Sequence, residues 1–202
     1  MAGLAIVAVI VIATVLVVAL VPRDPPGGPR VVVIGDSVTY QSAPFITELF
    51  DFTKNIDVQG RPGFTTEELV PVAQERIDGD DPPAIGVFMM GYNDVTRGEE
   101  SARGLEAMAE EADQPRCSVW LLLPTKGDYE AAAMTAYNEQ VEDRTADLSD
   151  VHLETGWRDL ADKPSGAAPD PVLVSPDGVH PTEGGRRIIA RIMADSVERN
   201  CR

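Results

Sequence analysis

Histidine is nearly absent from this chain: only His152 and His180 occur. Any reaction that needs a proton acceptor near neutral pH therefore has two candidates at most. Cysteine is as scarce. Cys117 and Cys201 stand alone at a spacing that fits no metal site, so no metal and no cofactor is expected. The pair reads either as one disulfide of an exported domain or as two unrelated thiols. Basic residues are few as well, 17 Lys and Arg against 33 Asp and Glu, for a formal net charge of −16. Such a chain is poorly made to neutralise phosphates, and no nucleic acid partner is expected. The acidity also disfavours lying flat on an anionic membrane, and its plain reading is solubility. No G-x-G-x-x-G follows an apolar run, which removes a dinucleotide-binding reading. There is no internal repeat.

Apolar residues, by contrast, are plentiful at 44% of 202 residues, enough for the core of one domain of ordinary size. From Ala2 to Val21 not one residue is charged. As a helix this stretch would be about 30 Å long, the thickness of a bilayer's hydrocarbon core. It begins without Lys or Arg, and no small-x-small cleavage site precedes Pro22, so 1–21 is read as an uncleaved membrane anchor. A signal peptide, and hence a secreted protein, is the alternative. Arg23 and Arg30 favour a cytoplasmic domain on a positive-inside count, whereas an oxidised cysteine pair favours the outer face, which is the expected location. Residues 22–29, Pro-Arg-Asp-Pro-Pro-Gly-Gly-Pro, read as a short, semi-stiff linker. Residues 30–202 then form a single domain, expected to be a monomer.

Within that domain short apolar runs alternate with longer amphipathic ones. Arg30–Ile34, Ile56–Val58, Ala84–Met90, Ser118–Leu123 and Val151–Leu153 read as strands covered on both faces, because they show no in-out alternation. Helices are expected over Pro44–Phe52, Thr66–Ile77, Glu99–Ala112, Tyr129–Leu148 and Glu183–Val197. Thr65 or Thr66 is placed to cap the second of these, with Glu68 or Glu67 in its first turn. The alternation predicts an α/β domain in which a five-stranded parallel sheet is sandwiched between helices. In such sheets ligands bind at the carboxyl ends of the strands.

The polar motifs fall at those ends. Gly35-Asp36-Ser37 follows the first strand and presents a hydroxyl on a sharp turn; serine is a poor nucleophile without a base beside it. Asp177-Gly178-Val179-His180 can supply that base, with Asp177 receiving the Nδ1–H so that Nε2 faces the serine. His152 lies inside a strand with no acid nearby in sequence and is read as structural. Gly91-Tyr92-Asn93-Asp94 ends the third strand, where the Asn93 amide can donate to a tetrahedral oxyanion. Gly63, followed by Thr65-Thr66, permits close backbone approach and offers a second donor.

In this order and at these separations the four runs resemble the blocks of the SGNH hydrolases, also called the GDSL esterase and lipase family. The resemblance covers Arg30 to the C-terminus. It implies a flavodoxin-like three-layer α/β/α fold with Ser37 as nucleophile, His180 as base and Asp177 as its orienting carboxylate. The oxyanion hole would comprise the Ser37 N–H, Gly63 and Asn93. Val38 stands where the family name implies leucine, and Tyr92 is bulkier than the residue often found there, which would narrow the acyl pocket. The implied activity is hydrolysis of carboxylic esters, with a small-molecule or glycan ester as substrate. An O-acyltransferase using the same residues and a non-catalytic binding module on the same fold are the alternatives.

Overall fold

The computed structural model describes residues 26–79, 82–98, 102–125, 131–162 and 172–202. The apolar stretch 1–21 and residues 22–25 of the linker lie outside the described residues. Among those described, no helix is long and apolar enough to cross a membrane.

Five parallel strands form one sheet: β1 (Val31–Gly35), β2 (Ile56–Gly60), β3 (Ile85–Met89), β4 (Cys117–Leu121) and β5 (Val151–Glu154). Their order is β2-β1-β3-β4-β5. The chain leaves β1 for one side of the sheet and returns to the other side of β1 with β3. That reversal opens a crevice between the carboxyl ends of β1 and β3. Register levels those ends, since Gly35 is paired with Gly60 on one side and Met89 on the other. Every residue of β1 and β3 is buried, which is why both read as unbroken apolar runs.

Seven helices are found among the described residues: α1 (Ser37–Leu49), α2 (Thr66–Ile77), α3 (Tyr92–Arg97), α4 (Ala102–Ala112), α5 (Ala131–Thr145), α6 (Gly156–Ala161) and α7 (Glu183–Cys201). α1 packs on α7, and α2 packs on α4, which in turn meets α5. The result is a three-layer α/β/α domain. One expected helix is displaced. Pro44–Phe52 was the sequence expectation, whereas α1 begins at Ser37 and carries Pro44 inside it. Asp36 caps the helix through Oδ1, which accepts the Val38 N–H at 3.0 Å, and Val38, Ser42 and Ile46 then bury one stripe at four-residue spacing. That stripe and cap outweigh the preference of proline for a first turn. α3 and α6 are only six residues long, too short to show a periodicity in the sequence.

Two ties close the base of the domain, at the amino ends of the strands. Cys117 and Cys201 form a disulfide with their Cα atoms 5.5 Å apart, joining the start of β4 to the end of α7. The last linker residues are bound to the loop before β2. Gly27 O accepts Lys54 N–H (2.7 Å), Gly28 O accepts Asn55 Nδ2–H (2.9 Å) and Pro29 O accepts the Thr53 hydroxyl (2.6 Å). Residues 27–29 are therefore part of the folded domain.

Candidate active site

Ser37 is the first residue of α1 and sits at the carboxyl end of β1. As the first helical residue its N–H has no acceptor within the helix, and Asp36 spends its own cap on Val38, so the Ser37 N–H is left to the crevice.

The histidine arrives from a different part of the chain. His180 Nε2 lies 3.1 Å from Ser37 Oγ, and His180 Nδ1 lies 2.8 Å from Asp177 Oδ2. The other Asp177 oxygen accepts the N–H groups of Val179 (3.0 Å) and His180 (2.9 Å), closing a tight turn over Gly178. Burial pushes the Asp177 carboxyl up, but the Val179 and His180 N–H groups and the His180 ring outweigh it, and the pKa falls below the ordinary value. An ionised Asp177 is what the Nδ1–H tautomer requires. The turn is fastened on both flanks. Ser175 N–H donates to His180 O (2.8 Å), Thr182 N–H donates to Leu173 O (2.9 Å), and Val174 bridges Pro181. Thr182 then caps α7 by accepting the Gly185 N–H. His152 lies on β5, away from these groups.

Across the crevice, Gly63 adopts φ +82, a conformation that disfavours any side chain although space for a Cβ exists. Asn93 donates one amide hydrogen to Phe64 O at 2.9 Å, which fixes the side chain and leaves the second hydrogen for a ligand. The structure therefore brings together Ser37, Gly63, Asn93, Asp177 and His180 around the ends of β1, β2 and β3.

Of the two caps expected for α2, Thr65 takes the role, in a capping box with Glu68. Several other supporting residues were not legible beforehand. Thr66 faces inward instead. Its N–H reaches both Asp94 oxygens (3.1 and 2.9 Å), and its hydroxyl contacts Asp94 Oδ2 (3.0 Å) and Tyr137 OH (2.8 Å). The buried Asp94 carboxylate thus locks the segment carrying Gly63 to the helix carrying Asn93. Arg97 adds an outer lock, donating to Gly63 O and Glu68 Oε2. Gly91, at φ +121, leaves room for the Tyr137 ring, which a Cβ there would meet at 2.4 Å. Tyr92 does not stand in an acyl pocket: it is buried, and its hydroxyl accepts the Trp157 Nε1–H at 3.4 Å. Its bulk fills the core under the crevice.

Asp36 is fully buried beside Ser37. Burial pushes its pKa up to about 7, against the Val38 and Tyr92 N–H groups and His180, with nearby Asp94 pushing the same way as burial. Among the described residues no group of three or more His, Cys, Asp or Glu could hold a metal ion.

Comparison with solved structures places this architecture. A GDSL-like lipase from Bacteroides thetaiotaomicron matches with a TM-score of 0.68 at 18% identity, over 85% of this chain and 88% of that one. The fold is that of the GDSL-type hydrolases. An acetylxylan esterase from Geobacillus stearothermophilus has the same fold (TM-score 0.65, 16% identity, 85% of this chain and 94% of that one). So does an α/β hydrolase enzyme from a Lake Arreo metagenome (TM-score 0.68, 19% identity, 85% and 96%). No protein-family model and no curated protein matches the sequence. The GDSL-type fold is thus shared at a distance at which only the backbone, and not the substrate, carries over.

Proposed function

We propose that this GDSL-type domain is a serine esterase acting on carboxylic esters of short acyl groups. The observation that carries the reading is the unbroken relay from Asp177 through His180 to Ser37, at 2.8 and 3.1 Å. Ser37 attacks the carbonyl carbon while His180 Nε2 takes its proton. The oxyanion that forms is met by the Ser37 and Gly63 N–H groups and the Asn93 amide. His180 then returns the proton to the leaving alcohol, and water repeats the sequence to release the acid. The names of the structural neighbours, a lipase and an acetylxylan esterase among them, support ester chemistry. In this reading the protein is tethered by residues 1–21 with the domain outside the cell, and the Cys117–Cys201 disulfide supports that side.

Turnover of p-nitrophenyl acetate, with covalent labelling by a fluorophosphonate mapping to Ser37, tests the chemistry. Ser37→Ala must abolish both while leaving the circular dichroism unchanged; activity within tenfold of wild type would end the serine mechanism. The tether is tested by fractionation. Full-length protein should stay with membranes in high salt, and a form starting at Pro26 should be soluble and active.

A further inference from the structure

Arg61-Pro62-Gly63-Phe64 is a turn closed by the Phe64 N–H on Arg61 O at 3.2 Å. Its type follows from the two central residues. Proline in second place cannot take the positive φ that the mirror-image turns require there, and Gly63 in third place has φ +82. The turn is therefore type II, whose central peptide is turned over relative to type I. That peptide carries the Gly63 N–H, so the type of turn decides which way this donor points. No acceptor for it is found among the described residues.

The turn hangs between two supports. On one side the Arg61 N–H donates to Gly35 O (2.8 Å), two residues before Ser37. On the other, α3 grips two successive carbonyls. Asn93 donates to Phe64 O (2.9 Å), and Arg97, four residues on and so on the same helix face, donates Nη2–H to Gly63 O (2.5 Å). Arg97 Nη1 reaches Glu68 Oε2 at 3.2 Å, an oxygen that also accepts the Thr65 N–H (2.8 Å) in the cap of α2. One arm of the guanidinium fork thus ends on the turn and the other on the helix that follows it. The Arg97–Glu68 pair is half-exposed, and such pairs add little to folding. The contact with Gly63 O has a more specific consequence. Glycine takes negative φ as readily as positive, so the sequence alone does not hold this peptide in place. A charged donor holds a carbonyl more firmly than a neutral one.

We infer that Arg97 is a positioning residue of the reaction: by holding Gly63 O, its guanidinium keeps the Pro62–Gly63 peptide in the type II orientation that presents the Gly63 N–H to the oxyanion. Arg97 acts through Gly63 alone and touches no reacting atom. The inference rests on the esterase reading, in which Gly63 is an oxyanion donor.

The experiment measures hydrolysis of p-nitrophenyl acetate by wild type, Arg97→Lys, Arg97→Ala, Gly63→Ala and the double variant Arg97→Ala with Gly63→Ala, each checked by a urea melt. Loss of an oxyanion donor outright costs about 10²–10³ in kcat, so Arg97→Ala, which only loosens one, should lose about tenfold. KM should stay within about threefold, because the interaction is made in the transition state. Arg97→Lys, a point charge without the fork, should fall between wild type and Arg97→Ala. Gly63→Ala disfavours φ +82 and should lose more than either; in that background Arg97→Ala should add no more than about twofold, since both act on one peptide. Guanidinium chloride far below denaturing concentrations should restore part of the kcat of Arg97→Ala, whereas urea and sodium chloride at the same concentration should not. Should Arg97→Ala fail to fold, the coupling to Gly63→Ala is read with Arg97→Lys. A folded Arg97→Ala protein with kcat within about threefold of wild type, or a loss that is the same with Gly63 and with Ala at that position, would overturn the positioning role and leave the esterase intact. Wild type that neither turns over the ester nor reacts with a fluorophosphonate would instead end the esterase reading, and this inference with it.

Discussion

Asp94→Asn isolates the device that holds the two halves of the proposed oxyanion hole in register. The substitution keeps size and shape but removes the charge. In the native protein the carboxylate accepts the Thr66 N–H and meets the Thr66 hydroxyl, and it is 3% exposed, so solvent screens neither bond. A hydrogen bond to a charged group contributes about 1.5–3 kcal/mol against roughly 0.5–1.5 for a neutral one. Two such bonds made neutral should cost about 2–3 kcal/mol, read as a lower urea midpoint at unchanged slope. Whichever way the asparagine amide turns, its NH₂ also stands about 3 Å from the Thr66 N–H, donor against donor, which forces the Thr66 segment to shift. Gly63 and Asn93 then lose their common reference. Misplacement of a reacting group by an ångström can cost about a hundredfold, as can loss of one oxyanion donor. Turnover of p-nitrophenyl acetate should therefore fall about 10- to 100-fold in kcat with KM within about threefold, the pattern of an interaction made in the transition state. Thr66→Val should show part of the same loss, and the double variant less than the sum, since both act on one network. A folded, destabilised Asp94→Asn protein with kcat within threefold of wild type would refute the reasoning.

Replacing His180 by Ala should cost several orders of magnitude in kcat, whereas His152→Gln should leave it within about twofold; equal losses in folded samples would mean the base has been misassigned. Reduction of the Cys117–Cys201 bridge, which spans 84 residues, should lower stability by about 4–5 kcal/mol on the chain-entropy account, measured by urea melts with and without reductant. Asp36 should make stability depend on pH in a definite sense. The unfolded chain loses this proton above the ordinary value of 3.8, the folded one only near 7, so its contribution is complete below 3.8 and is lost as pH rises through about 7. Asp36→Asn should gain stability relative to wild type across that window and then level off; a difference independent of pH would show that Asp36 is ionised when folded.

The strands and the Asp177–His180 pair were legible because their signals are local, and Ser37 was joined to that pair by the order of the motifs at the strand ends rather than by nearness in sequence. β1 is apolar at four consecutive positions since both faces are covered, and Asp177 and His180 sit within one turn of chain. What escaped was set by contacts distant in sequence. Asp94 meets Thr66 across 28 positions and Thr66 meets Tyr137 across 71, so nothing near Asp94 distinguishes it from an ordinary turn residue. The start of α1 was misplaced for a related reason. Ser37, Val38, Thr39 and Ser42 are not strong helix formers, and the burial that drives the helix comes from the sheet beneath and from α7. Tyr92 looked like a pocket residue until Trp157, 65 positions away, accounted for its hydroxyl.

The bonds that pin Gly27, Gly28 and Pro29 fix the direction in which the molecule looks. The chain enters at the amino end of β1, and Ser37 waits at the other end of that strand, roughly 17 Å away at 3.3 Å per residue over five residues. From residue 21 to the first pinned residue, Gly27, the chain takes six steps, which can span at most about 22 Å. A body held on so short a lead cannot readily turn over. If residues 1–21 rest in a bilayer, the crevice points outward, away from that bilayer. Esters within the same lipid layer would lie behind the enzyme, and those it meets would come from the far side, from whatever matrix or fluid the cell surface faces.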